Sequence, residues 1–105
     1  MEGQEIYKVV WPRSAGSGAG GGFLARRAAT LQGAVVAELW DYVFRGNEIF
    51  QALERELSAR YPGIKFVHYD VFGNIHGGDE GRVLESLREK FDRNHCTAVI
   101  VGVGC

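Results

Sequence analysis

Residues 97–105 read TAVIVGVGC, the most apolar run in the chain. A continuous apolar run that ends on glycines reads as a buried strand, of the kind found in a parallel sheet covered on both faces. Such a strand needs partners. The fold is therefore decided by whether the residues before it alternate between strand and helix.

They do. Immediately upstream, Val83, Leu84, Leu87 and Phe91 recur at helical spacing, which predicts a helix with an apolar stripe. Asp79 is placed to cap it, Glu89 and Arg93 stand four residues apart on its polar face, and Asn94-His95 closes it. GNIHGGDEG (73–81) is a loop by composition. IKFVHYDVF (64–72) reads as a second strand. Pro62-Gly63 ends an earlier helix, in which Ile49, Phe50, Leu53 and Leu57 form the apolar stripe and Glu56 and Arg60 pair. Asn47 is the expected N-cap, with Glu48 in the first turn. AVVAELW (34–40) is the first strand.

The order from residue 33 is thus β-α-β-α-β, which implies right-handed crossovers and a parallel sheet. The expected fold class is α/β, flavodoxin-like or Rossmann-like, with strand order 2-1-3 and the apolar last strand in a central position. The sheet is incomplete after its third strand, because the next helix and a neighbouring strand are missing. Residues 1–32 form an N-terminal arm that contains the Gly/Ser-rich segment SAGSGAGGG (14–22), and residues 33–105 form the α/β domain. The glycine-rich segment reads as a flexible arm rather than a phosphate loop, since no Lys-Ser or Lys-Thr follows it and no strong strand precedes it.

Composition removes several classes of function. The formal net charge of −1 gives no electrostatic reason to expect nucleic acid or an anionic membrane. No run approaches the roughly 18 apolar residues of a spanning helix, and the N-terminus lacks a charged-then-apolar signal pattern. A cytoplasmic location is expected, with Cys96 and Cys105 as thiols in a reducing compartment.

Ligands of open parallel sheets bind beyond the carboxyl ends of the strands. Three segments meet there: DYVFRGN (41–47), DVFGNIHGG (70–78) and GVGC (102–105). Asp41 and Asp70 end strands on this side, and a cation and an amide above a strand, Arg45 and Asn47, suit an anionic substrate. His76 and Cys105, with Asp70 or Asp79, could approach one another, but their spacing matches no zinc signature and no metal is expected. No cofactor is expected either; a flavin or nucleotide follows from fold analogy alone. His68 reads as a strand residue with a local hydrogen bond, and His95 as a cation near a helix C-terminus. Cys96 lies at the far end of the last strand, beyond disulfide reach of Cys105.

The segment ARRAATLQGAVVAELWDYVFRGNEIFQALERELSARYPG (25–63), followed by TAVIVGVGC, resembles the UGSC-like family of (seleno)proteins. That family is named for a Sec/Cys-Gly-Ser-Cys motif directly after a VGVG-type strand end. Asp41, Arg45 and Asn47 match an Asp, a basic residue and an Asn after the family's first strand, and Gly102 and Gly104 match the glycines leading into the motif. The chain departs from the pattern in having no Gly-Ser-Cys after Cys105. A UGA codon at the motif position, decoded as selenocysteine or taken as a stop, would account for this.

The resemblance implies thiol or selenol chemistry, with the reactive chalcogen at Cys105 or just after it. It implies a small-molecule substrate and a pocket lined by Asp41, Arg45, Asn47, Gly102 and Gly104; His76, on the loop at the same edge of the sheet, is expected to join them. On this reading the chain is a component or truncated form of an oxidoreductase-like enzyme. It is inactive by itself, because a terminal carboxylate beside Cys105 opposes thiolate formation. The alternative is a noncatalytic subunit whose site is completed by a partner chain. Both readings expect a homo- or hetero-oligomer that covers the open sheet.

Overall fold

The structure is a computed structural model that describes Lys8, Gly22 and residues 24–104. Most of the expected N-terminal arm, and Cys105, lie outside the described residues. Strand β1 spans Val35–Trp40, helix α1 Gly46–Arg60, strand β2 Lys65–Val67, a 3-10 turn Tyr69–Val71, helix α2 Glu80–Arg93 and strand β3 Ala98–Gly102. The sheet is three-stranded and parallel, in the order β2-β1-β3. This is the expected α/β architecture with the expected 2-1-3 order. Among the described residues, no helix is long and apolar enough to cross a membrane.

The two helices lie on opposite faces of β1. Side chains alternate along a strand, and β1 sends Val36 one way and Ala37 and Leu39 the other. Val36 packs with Ala34 and Ile64 beneath Leu57 and Tyr61 at the end of α1. Ala37 and Leu39 pack with Phe72 beneath Leu87 and Phe91 of α2. Ala98 and Ile100 of β3 join the α1 side.

As the 2-1-3 order requires, β1 is central among these three strands and β3 lies at the open edge. Ala98 and Ile100 are half-buried, whereas Val99, Val101 and Val103 are 43%, 54% and 68% exposed. Their register partners Ala37 and Leu39 assign these valines to the α2 side, which α2 covers over β1 but not over β3. A run that is apolar on both faces is here buried on one.

Three local expectations are also corrected. The second strand stops at Val67 instead of running to Phe72. His68 turns the chain by accepting the Asp70 N–H on Nδ1 at 3.3 Å, and the 3-10 turn that follows drops Phe72 into the core. The chain then returns to β1, where the Ile75 N–H donates to the Trp40 carbonyl. Asn47 does not cap α1: the helix begins at Gly46 with Arg45 at the cap, and Asn47 is an exposed first-turn residue. Gly46 sets that start, since a Cβ there would lie 2.4 Å from the Trp40 indole nitrogen. Asp79 precedes α2 but caps it through its main-chain carbonyl, which accepts from Val83, and not through its side chain. Leu84, expected in the apolar stripe, is half exposed. The Glu89–Arg93 pair forms, and among the described residues no Glu56–Arg60 ion pair accompanies it.

α2 closes at Asn94-His95 as expected, by two main-chain bonds. The His95 N–H donates to the Asp92 carbonyl and the Cys96 N–H to the Phe91 carbonyl, the Schellman pattern. His95 occupies the left-handed position, with φ 57°, which normally favours glycine. Its side chain is exposed. Replacing it with glycine removes the strain of a Cβ at positive φ, so His95→Gly is expected to stabilise the domain by up to about 1 kcal/mol. Urea denaturation of the two proteins measures this; a lower midpoint for the variant would contradict it.

Candidate functional site at the carboxyl edge of the sheet

The ladder between β1 and β3 ends at the pair Trp40 and Gly102, and Asp41 continues it. The Asp41 N–H donates to the Gly102 carbonyl at 3.2 Å. Its carboxylate then bonds in two directions: Oδ1 accepts from the Val43 N–H at 3.1 Å, and Oδ2 from the Gly104 N–H at 2.7 Å. The first bond turns the chain locally, as aspartate often does after a strand. The second spans the gap between the loop after β1 and the end of β3. Asp41 is 1% exposed, so a buried charge is satisfied by main-chain donors.

Gly102 and Gly104 stand against aromatic rings. A Cβ on Gly102 would sit 3.1 Å from the ring tips of Phe44 and Phe50, and one on Gly104 would sit 2.8 Å from Phe44. The Gly-x-Gly spacing therefore has a packing cause: Phe44, in the loop after β1, and Phe50, in α1, close on the backbone of β3. The intervening Val103 points to the open side.

Tyr42 takes φ 62°, an unusual backbone for an aromatic residue. The kink stacks its ring on Trp40 at a centroid distance of 4.5 Å, and its hydroxyl donates to Asp70 Oδ1 at 3.4 Å. Tyr69 meets both rings edge-on. Loss of solvent, and then the charge of Asp70, raise the phenol pKa of both tyrosines above 10. Beneath this aromatic wall lies Glu38, 0% exposed on the α1 face of β1.

Of the residues expected at the site, Asp41, Gly102 and Gly104 are brought into direct contact. Arg45 and Asn47 lie nearby at the start of α1, exposed; Arg45 pairs with Glu48 at 2.8 Å and makes no hydrogen bond to Asp41. An exposed pair of this kind holds its partners weakly. His76 lies in the loop before α2, where its N–H donates to Asn74 Oδ1 and its Nδ1 is 3.1 Å from Glu80 Oε2. Asp70 belongs to the 3-10 turn, next to His68 and the Tyr42 hydroxyl. A recess of about 330 Å³ opens between that turn and α2, lined in part by Asp70, Phe72, Arg82, Ser86 and Lys90, and it does not include Asp41. Among the described residues, no three His, Cys, Asp or Glu side chains converge as metal ligands. Cys96, at the opposite end of β3, is half-buried, and burial pushes its thiol pKa up.

Sequence reasoning missed Glu38, Trp40, Tyr42 and Tyr69. Glu38 carried a signal: a lone carboxylate in the middle of a central apolar strand has nowhere to go but the interior. The others had none, because aromatic residues near a strand end are common in any core.

The Asp41 tie makes a direct prediction. Asp41→Ala leaves the Val43 and Gly104 amides without their acceptors, at an expected cost of about 2–3 kcal/mol. Hydrogen exchange should quicken at those two amides more than elsewhere on the sheet edge. Unchanged protection at Gly104 would show that the bond does not hold the end of β3.

Neither a curated protein nor a solved structure matches the chain. The model of the UGSC family matches residues 8–105, which takes in the whole sheet, both helices and the Asp41–Gly104 edge. The chain belongs to the UGSC family.

Proposed function

We propose that this chain is a component of a thiol- or selenol-dependent oxidoreductase-like enzyme, with the reactive chalcogen at Cys105 or just after it. One observation carries the reading: Asp41 grips the N–H of Gly104, the residue before Cys105, and fixes the direction in which the chain leaves β3. The carboxyl edge of a parallel sheet is where such folds bind ligands. A nucleophile emerging there gains from a rigid strand end, because position contributes to reactivity as well as acidity does.

The chemistry is thiol–disulfide exchange on a small-molecule disulfide. In the assembled enzyme, rather than in this chain by itself, the thiolate of Cys105 attacks one sulfur, a mixed disulfide forms, and the old S–S bond breaks. The departing thiolate takes up a proton from solvent; the substrate is thereby half reduced and Cys105 oxidised. Arg45 and Asn47 would receive anionic groups of the substrate, with His76 on the loop across from them. Asp41 acts as a positioning residue through the main chain of Gly104. A reducing cytoplasmic compartment suits free thiols in these roles.

A second reading is favoured by a separate observation. Val99 and Val101 of β3 and Val103 just beyond it form an exposed apolar row, and Leu84 of α2 is half exposed. An uncovered edge of this kind is suited to a partner chain, homo- or hetero-oligomeric, that would complete the sheet and supply the rest of the site.

Treatment with glutathione disulfide, followed by mass mapping, tests the first reading. Cys105 should form the mixed disulfide at least about tenfold faster than Cys96, whose thiolate is disfavoured by burial. It should also outpace the free peptide VGVGC, and the excess should shrink in Asp41→Ala. A rate equal to that of the peptide would reject a prepared nucleophile and leave the subunit reading. For that reading, light scattering with Val101→Lys should show loss of a dimer or larger species.

A further inference from the structure

Two carboxylates of β1 stand three residues apart in opposite circumstances. Asp41 is satisfied by main-chain donors. Glu38 is 0% exposed, and written as a carboxylate it finds no donor for Oε1 or Oε2 among the described residues. The Trp40 indole N–H, two residues along on the same face, is buried and unpartnered as well. An ionised carboxylate without donors in such a place is strongly unfavourable. A proton on Glu38 removes the charge and supplies a donor, for which the carboxylate of Glu54 on α1 is the acceptor beside it.

We propose that the buried Glu38 and the half-buried Glu54 share one proton as a carboxyl pair between β1 and α1, and that losing it to solvent loosens α1 from the carboxyl edge of the sheet. The pair is a pH-sensitive latch. Its bearing on thiol chemistry rests on the functional reading above; the latch itself does not.

The mechanical path consists of contacts already described. α1 begins at Gly46, pressed against the Trp40 indole, and its Phe50 packs on Gly102. If two carboxylates face each other under α1, the helix must tilt or admit water. Phe50 and Gly46 then leave the strand ends that Asp41 ties together. The groups facing Glu38 act mainly in one direction. From α1 it is Glu54, which adds to the effect of burial; from the 3-10 turn it is Tyr69, whose backbone N–H opposes them from nearby without making a hydrogen bond and whose phenol pKa is raised above 10. From the end of β2, His68 is engaged with Asp70, and the β3 neighbour is Ile100, which does not titrate.

Burial first, then Glu54, push the Glu38 carboxyl up to about 8. Its unfolded value is the ordinary 4.5, so the folded state holds the extra proton between these limits. Stability from this group is complete below 4.5 and lost as pH rises through about 8. The folding equilibrium constant should fall by up to about tenfold per pH unit inside that window.

The test uses the full chain with Trp11→Phe, which leaves Trp40 as its remaining tryptophan. Trp40 fluorescence and urea stability are followed from pH 4.5 to 9.5. The expected result is a transition in Trp40 emission near pH 8 with the matching loss of stability, both absent in Glu38→Gln. A flat wild-type profile, or a transition that survives Glu38→Gln, overturns the latch. Should that variant fail to fold, Glu54→Gln decides: the midpoint must move down, and an unmoved midpoint overturns it. Alkylation of Cys105 over the same range separates the two proposals. A titrating Trp40 with Cys105 no more reactive than the free peptide keeps the latch and rejects the thiol reading, whereas a reactive Cys105 with a flat Trp40 does the reverse.

Discussion

The carboxylate of Asp41 is the constraint on which this edge of the molecule depends. Parallel strands cannot be joined by a tight hairpin, so their carboxyl ends diverge into separate loops. Here β1 and β3 stay together one step past their ladder, because the Asp41 main chain continues it to Gly102 and the side chain reaches Gly104. The same carboxylate turns its own loop through Val43. One side chain therefore fixes the exit direction of two segments. Asparagine has the same shape but only one acceptor oxygen, and could serve only one of the two amides.

Around this tie, size complementarity does the rest. Three close approaches, of Trp40 to Gly46, Phe44 to Gly104 and Phe44 with Phe50 to Gly102, exist because a glycine faces an aromatic ring in each case. Rings of this size bury much apolar area, but only where the opposite backbone is bare. The outcome couples α1 to the strand ends: a shift of the helix cannot leave Gly102 undisturbed. That coupling is why a buried charge at Glu38, on the inner side of the same helix, bears on an edge that it does not touch.

Much of the architecture was legible in the sequence, and the failures share a cause. β1, both helices, the 2-1-3 order and the Asn94-His95 closure follow from apolar period and turn chemistry. What failed was decided by single local contacts, a side chain bonding to nearby main chain in one case and a ring pressed on a glycine in another. The β-rich run IKFVHYDVF predicts a long strand, yet one imidazole nitrogen accepting the Asp70 N–H ends it at Val67. Asn47 has the chemistry of a cap, yet Gly46 fits the Trp40 indole and the helix starts two residues early, with Arg45 at the cap. At the edge itself, Asp41, Gly102 and Gly104 were legible through family resemblance and strand-end position. The donors of Asp41 were not, since they come from main chain 2 and 63 residues away.

The row TAVIVGV shows how a sequence can specify burial without saying what supplies it. Its odd and even positions are equally apolar, which suits a strand covered twice. In this chain Ala98 and Ile100 find α1-side neighbours, while Val99, Val101 and Val103 do not. The two core clusters centre on β1, with Ile64 just before β2 and Phe72 after the 3-10 turn. β3 is thus held by pairing with β1, by one packed face and by the Asp41 tie. Apolar area left in water forgoes roughly 25 cal/mol per Å², so the uncovered row is a source of free energy for whatever covers it. It runs along the same strand whose continuation is held at Gly104. An element docking on that row would brace the strand from the side opposite Phe44 and Phe50, and would close the site edge and the core in a single step.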